Sequence, residues 1–252
     1  MEFESLKDFA DKNKITLKKW EEILNIATDN IIKKDLYNPE YIKENFDDLF
    51  DDIGNEAYKV YQYYEQEYGK KVLNTYSSYI INSTHSGNIP ELIAESFKPF
   101  DKFFLSLSQS RKSRAGKTFE AITKSLFKKL DYIFDEQVII NGKPDFLIPS
   151  KKHYIENPMD CIIFTAKRTL RERWRQIVTE GTRGLGFYLG TIDQSISNVT
   201  LNEMLKHRIY VVCPQTIKYK YYSKTVNVIS FKQFFTDHLD PAMIRWKNNK
   251  VI

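Results

Sequence analysis

Four side chains in the C-terminal part of this 252-residue chain have the types and order that hydrolytic chemistry on a polyanion requires. Asp145 follows Pro144 at the head of a short apolar run, and Lys167 closes the next such run, 22 residues on. Glu180 lies 13 residues beyond Lys167 on a helical stretch, and Glu120 lies upstream on a basic amphipathic one. An acid at the end of one strand and a lysine at the end of its neighbour come side by side at the edge of a sheet. Carboxylates are hard oxygen ligands for Mg2+, which polarises a phosphodiester and lowers the pKa of an attacking water, while a nearby ammonium stabilises the charge that develops on the phosphate. Taken singly, each residue also has a plain reading, because Pro-Asp pairs are common in turns and a lysine at a strand end is usually solvated. The conjunction makes the case for a hydrolytic centre.

The stretch from Lys167 to Glu180 sorts by helical period. Trp174, Ile177, Val178 and Gly181 fall on one stripe, expected to face the core, and Arg173, Gln176 and Glu180 on another, which returns Glu180 towards Lys167. Arg171, Glu172 and Arg173 are left in the first turn. Arginine can donate two hydrogen bonds to guanine O6 and N7, and glutamate can accept one from cytosine N4, so this triplet is suited to reading adjacent C·G pairs in a major groove. The alternative is a solvated helix start with its own ion pair.

These residues need elements to hold them, and the chain divides by charge. Residues 1–100 contain 12 lysines, no arginine and 19 acids, a balance of −7, whereas residues 101–252 contain 17 lysines, 9 arginines and 14 acids, a balance of +12. Arginine suits bidentate contact with phosphate and guanine, so the second part reads as the polyanion-facing module. Residues 1–100 read as an all-α N-terminal domain: a helix capped at Thr16, one from about Pro39 to Asp52, and one from near Asn55 carrying the Tyr58, Tyr61, Tyr64 and Tyr68 stripe. STHSGNIP, at 83–90, is the expected hinge.

Residues 101–252 read as an α/β domain with a mixed central sheet flanked by helices. A helix to about Ser108 leads through a basic turn, SRKSRAG, to the helix KTFEAITKSLFKKL. QVIIN and PDFLIP form a hairpin about Gly142 and Lys143, and CIIFTAK, GFYLGTI and RIYVVCP supply further strands. Cys161 and Cys213 sit in strand-like runs as reduced, buried thiols with no zinc spacing. Gly181, Gly184 and Gly186 are expected to serve turns and close packing, and the four histidines have no partner spacing. With no apolar run of membrane length and an acidic, amphipathic start, a soluble, cytoplasmic protein is expected.

SRKSRAGKTFE, NGKPDFLIPS and TAKRTLRERW together resemble the type II restriction endonucleases of the PD-(D/E)XK superfamily, in the EcoRII- and PspGI-like branch that reads CCGG, CCNGG or CCWGG. The resemblance covers about residues 105–215. It implies a restriction-endonuclease-like fold in which Asp145 and Glu180 bind Mg2+, Lys167 is the catalytic lysine and Glu120 is an acid from the upstream helix. It further implies that Arg171, Glu172 and Arg173 read the inner C·G pairs, that Arg111 and Arg114 contact DNA, and that Gln109 touches the minor groove. Most of the superfamily keeps an acid two residues before the lysine, where this chain has Thr165; in this branch that acid has moved to the following helix, where Glu180 stands. A palindromic double-stranded DNA site implies a two-fold homodimer. The alternatives are a DNA-binding protein that does not cut and another nuclease of the superfamily, such as a resolvase or repair enzyme.

Overall fold

In the computed structural model, the chain is described over residues 5–33, 38–83, 88–140, 142–170 and 186–252. It forms two compact units, one of residues 1–31 and 53–118, the other of residues 32–52 and 119–252. The first is built from helices: α1 (Leu6–Lys12), α2 (Trp20–Ile31), most of the 38-residue α4 (Phe46–Ser83), α5 (Ile89–Glu95) and the N-terminal two thirds of α6 (Phe97–Lys129). Leu6, Phe9 and Ala10 of α1 pack with Val72 and Tyr76 of α4 and with Phe103 and Leu107 of α6.

Three local expectations are corrected here. The helix after Thr16 starts at Trp20, where the Glu22 carboxylate accepts a hydrogen bond from the Lys19 amide at 3.0 Å. The break expected after Asp52 lies instead at Asn45, between α3 (Pro39–Glu44) and α4, so that α4 runs unbroken through Gly54. The basic segment 110–116 is no turn but the middle of α6. A lone glycine costs a helix about 1 kcal/mol relative to alanine, less than is gained by burying Phe103 and Leu107 on one side of it and Phe119, Ile122 and Leu126 on the other.

The second unit carries a mixed six-stranded sheet in the order β1 to β6: β1 (Asp135–Glu136), β2 (Phe146–Ile148), β3 (Ile162–Ala166), β4 (Gly186–Gly190), β5 (Ile209–Cys213) and β6 (Val228–Ser230). The β1/β2 and β2/β3 pairs are antiparallel and the rest parallel. The hairpin exists, but its outer strand is Asp135–Glu136 rather than QVIIN, and Val138 and Ile140 pack against the core from the connection. Both faces of the sheet are covered, which is why its central strands read as unbroken apolar runs. On one face Phe127 of α6 meets Phe146, Phe164, Phe234 and Phe235. On the other, Leu147, Ile163, Leu189 and Val211 pack with Leu201 and Met204 of the helix Asn198–Lys206 and with both cysteines, which are buried and free. Among the described residues, no helix is long and apolar enough to cross a membrane.

The start of β3 is pinned by Asp160. Its carboxylate accepts from Arg245 Nε and Nη2 at 2.9 and 2.7 Å and from the buried Trp246 Nε1 at 2.9 Å, and lies 2.9 Å from His153 Nε2. Burial pushes this carboxyl up, but the hydrogen bonds from His153, Arg245 and Trp246 together outweigh it and hold the group below its ordinary value. A carboxyl depressed by folding contributes stability above its unfolded pKa and loses it as pH falls through the folded value. Asp160→Ala is therefore expected to lower stability by about 2 kcal/mol near neutral pH. The deficit should shrink as the wild type is taken below pH ~4, where unfolded carboxyls protonate, a change read by urea titrations across pH.

Candidate active site

Strand register builds the site. Ile148, Leu147 and Phe146 of β2 pair with Ile162, Ile163 and Phe164 of β3, so one residue further Asp145 comes opposite Thr165. Alternation along a strand puts Thr165 and Lys167 on the same face. The buried Asp145 carboxylate accepts a hydrogen bond from the Ala166 amide at 2.8 Å and one from Lys167 Nζ at 2.9 Å, both at Oδ2. Among the described residues, its Oδ1 makes only the longer 3.3 Å contact with Lys167. A buried carboxylate without partners would be costly, and these donors supply the compensation. The ammonium, on a side chain one-third exposed (33%), keeps a solvent-facing side.

Glu120, on α6, connects to this pair through Gln137. Gln137 Nε2 donates to Glu120 Oε1 at 3.1 Å, and the Gln137 amide donates to the Asp145 carbonyl at 3.1 Å. Gln137 adopts a left-handed backbone (φ 49°), uncommon for a side-chain-bearing residue, and this turns the segment after β1 towards Asp145. Its role depends on three-dimensional register, so nothing in the linear pattern singled it out.

The segment after β3 is tethered at each step. The Lys167 amide donates to the Gly190 carbonyl at 2.9 Å, Thr191 Oγ1 donates to the Arg168 carbonyl at 3.1 Å, and the Leu170 amide donates to Asp193 Oδ2 at 2.9 Å. Burial pushes the Asp193 carboxyl up, but bonds from the Leu170 and Ser195 amides and the Ser195 hydroxyl bring it below its ordinary value. Gly190 is required for closeness: a Cβ there would sit 2.6 Å from Phe164 Cζ. The sequence reading passed over Gly190, Thr191 and Asp193; the T-I-D-Q-S turn composition is the signal that could have marked the last two.

The other expected site residues divide into two groups. Arg171, Glu172, Arg173 and Glu180, with Gly181 and Gly184, lie outside the described residues. Gln109, Arg111 and Arg114 lie on α6 in the helical unit, not on a turn. Gln109 is exposed, Arg111 grips the buried Glu65 of α4 with Nε at 3.0 and 2.9 Å from its two oxygens, and Arg114 stacks 4.3 Å from the Tyr61 ring centroid. Burial, then the hydrogen bond to Glu65, pushes the Tyr61 phenol up to about 12. Gly186 opens β4, packed close to Tyr188.

Among the described residues, no three His, Cys, Asp or Glu side chains converge as a metal cluster. What this face offers a hard cation is nevertheless fitting. Among the described residues, Asp145 Oδ1 has no short hydrogen bond, and the hydroxyl of Thr165, itself 1% exposed, is buried with no hydrogen-bond partner. Both are oxygen donors of the kind Mg2+ prefers, directly or through water, and a second carboxylate would complete the set.

The chain as a whole is similar to several known proteins. A family model described as the EcoRII C-terminal domain matches residues 78–235. The type II restriction enzyme SsoII of Shigella sonnei is 27% identical over 232 residues, 85% of this chain and 74% of that protein. The type II restriction enzyme EcoRII of Escherichia coli is 33% identical over 143 residues, 53% of this chain but only 35% of that protein. Among solved structures, metal-depleted Ecl18kI in complex with uncleaved, modified DNA is similar over 94% of this chain and 82% of that one, with a TM-score of 0.69 and 27% identity.

The orphaned hydroxyl generates a prediction. Thr165→Val removes one buried, unsatisfied polar group at nearly constant volume, and such a group costs on the order of 1–3 kcal/mol. The variant is expected to melt at or above the wild-type temperature while its hydrolytic activity falls at least about tenfold, as loss of one oriented oxygen can do. Calorimetry with a single-turnover assay checks it; full activity in a stable variant would show the hydroxyl to be idle.

Proposed function

Because the chain belongs to the EcoRII C-terminal family of type II restriction endonucleases, we propose that it cuts double-stranded DNA with Mg2+ at a palindromic site with a CCGG or CCNGG-like core. The observation that carries this reading is the Asp145–Lys167 pair at 2.9 Å, formed between neighbouring strand ends. Residues 101–252 make up the nuclease domain in this reading, and residues 1–100 a helical domain preceding it. The active form is a homodimer whose two-fold axis matches that of the site.

Asp145 and Glu180 would hold the ion, with the Thr165 hydroxyl beside them. When bound, Mg2+ supplies positive charge at the scissile phosphate and a lowered pKa to the attacking water. Lys167, aligned by Asp145 and by its own amide bond to Gly190, presents its ammonium to the phosphate oxygens, where negative charge grows during in-line attack. Glu120 acts through Gln137, holding the backbone at Asp145 in place. The tethers on Lys167, Arg168 and Leu170 fix the direction in which the chain leaves β3. That is the point from which Arg171, Glu172 and Arg173 would reach the inner C·G pairs, with Gln109, Arg111 and Arg114 as further DNA contacts.

A plasmid digest with Mg2+, followed by sequencing of the ends, tests the reading as a whole. Asp145→Ala and Glu180→Ala should each abolish cutting, by a factor of about a thousand or more, while specific binding persists or tightens, because a carboxylate facing phosphates repels them when no ion is bound. Wild-type rates in either variant would refute the metal assignment.

Readout is tested separately. Arg171→Ala, Glu172→Ala or Arg173→Ala should each cost about 1–3 kcal/mol of discrimination at an inner C·G pair. Equal losses on specific and random DNA would instead make the triplet a backbone clamp.

A further inference from the structure

The helical unit holds a feature that the catalytic reading leaves unused. Between the segment following α1, the start of α2 and the middle of α4 lies an open cleft of about 720 Å³, lined by Lys14, Lys18, Lys70 and Lys71 against two acids, Glu22 and Glu67. The setting is unexpected, since residues 1–100 carry a balance of −7. Both acids are already engaged. Glu22 accepts the Lys19 amide at 3.0 Å, and Glu67 pairs with Lys70 at 2.9 Å. Among the described residues, no acid lies within ion-pairing distance of Lys14, Lys18 or Lys71. Lys18 is seated over the Tyr64 ring, 4.8 Å from its centroid, which directs a cation along the cleft wall without neutralising it.

We infer that this cleft is a second DNA-contacting site, in which Lys14, Lys18 and Lys71 bind backbone phosphates of the duplex flanking the recognition sequence. Three lysines with no acid at ion-pairing distance among the described residues, two on the segment between α1 and α2 and one on α4, line one open cleft and form a site for an extended polyanion. Lysine is the point-charge phosphate binder, indifferent to sequence, and among the described residues no arginine lines this cleft. Small-molecule sites are enclosed and largely apolar; this cleft is open and walled by lysines, tyrosines, Asn74 and Thr75. The inference rests on the endonuclease reading for the identity of the polyanion. It adds that affinity has a part that depends on duplex length, is independent of sequence and is set by the helical unit.

The test compares the full chain with the triple variant Lys14→Ala/Lys18→Ala/Lys71→Ala, on site-bearing and random duplexes of about 15 and about 45 base pairs, over a range of salt. Each phosphate contact contributes about 0.9 to the slope of log K against log salt, so on the long duplexes the variant should lose about 2–3 in slope and bind about tenfold more weakly or worse. On the short site-bearing duplex, binding and cleavage should match the wild type, and the corresponding triple lysine-to-arginine variant should keep the wild-type slope. Unchanged long-duplex binding, or an equal loss on short and long duplexes, would overturn the inference. So would thermal stabilisation by inorganic tripolyphosphate that depends on these lysines when duplex binding does not. The random duplexes keep the two readings separable: if the wild type cuts nothing, the endonuclease reading fails, while the length-dependent slope still reports on the cleft.

Discussion

The arrangement depends on one buried carboxylate. Asp145 sits where β2 begins, and its Oδ2 is held by the Ala166 amide and by Lys167. An ionised group at this depth survives only with such partners, and they come from the next strand, so the β2/β3 register and the site are one constraint. A slip of one residue in β2 would turn Asp145 to the face opposite Thr165 and Lys167 and take the pair apart.

Everything around β3 bears on that register. At its start, Asp160 ties the strand to Arg245 and Trp246 of the last helix. At its end, Gly190 lets β4 approach Phe164 and receives the Lys167 amide. On the face away from Asp145, Phe164 and Phe146 meet Phe127 of α6, the helix that also carries Glu120. Closely packed aromatic cores have little freedom to shift, so a rigid layer lies beneath a face where, among the described residues, Asp145 Oδ1 and the Thr165 hydroxyl keep open capacity.

How much of this was legible follows from the physics of each signal. The strand-end position of Lys167 was visible because β3 is buried on both sides and reads as the run CIIFTA, and the family resemblance was visible in three short motifs that the family match to residues 78–235 bears out. The mixed sheet followed from alternating strand and helix patterns, and it is the sheet observed. The outer hairpin strand was misplaced because Val138 and Ile140 are buried from an irregular segment, while the true strand, Asp135–Glu136, is polar and partnered by Lys124. The basic stretch in α6 read as a turn because its composition is polar, whereas its helical state is supported by partners on α4, Glu65 and Tyr61. Gln137 was invisible because its function is a pair of hydrogen bonds across folded distance. The assignments to Arg171, Glu172, Arg173 and Glu180 rest on sequence spacing and resemblance.

In the proposed reaction, Asp145 and Lys167 mark the place where a divalent ion meets the scissile phosphate. Anomalous scattering from Mn2+, in place of Mg2+, in crystals of the protein with a duplex cut slowly enough to trap is the most direct measurement. A peak is expected within about 2.0–2.3 Å of the Asp145 carboxylate, typical of small hard divalent ions, with a second carboxylate from Glu180 and a phosphate oxygen completing the shell. A metal bound to phosphate but remote from Asp145 would contradict it.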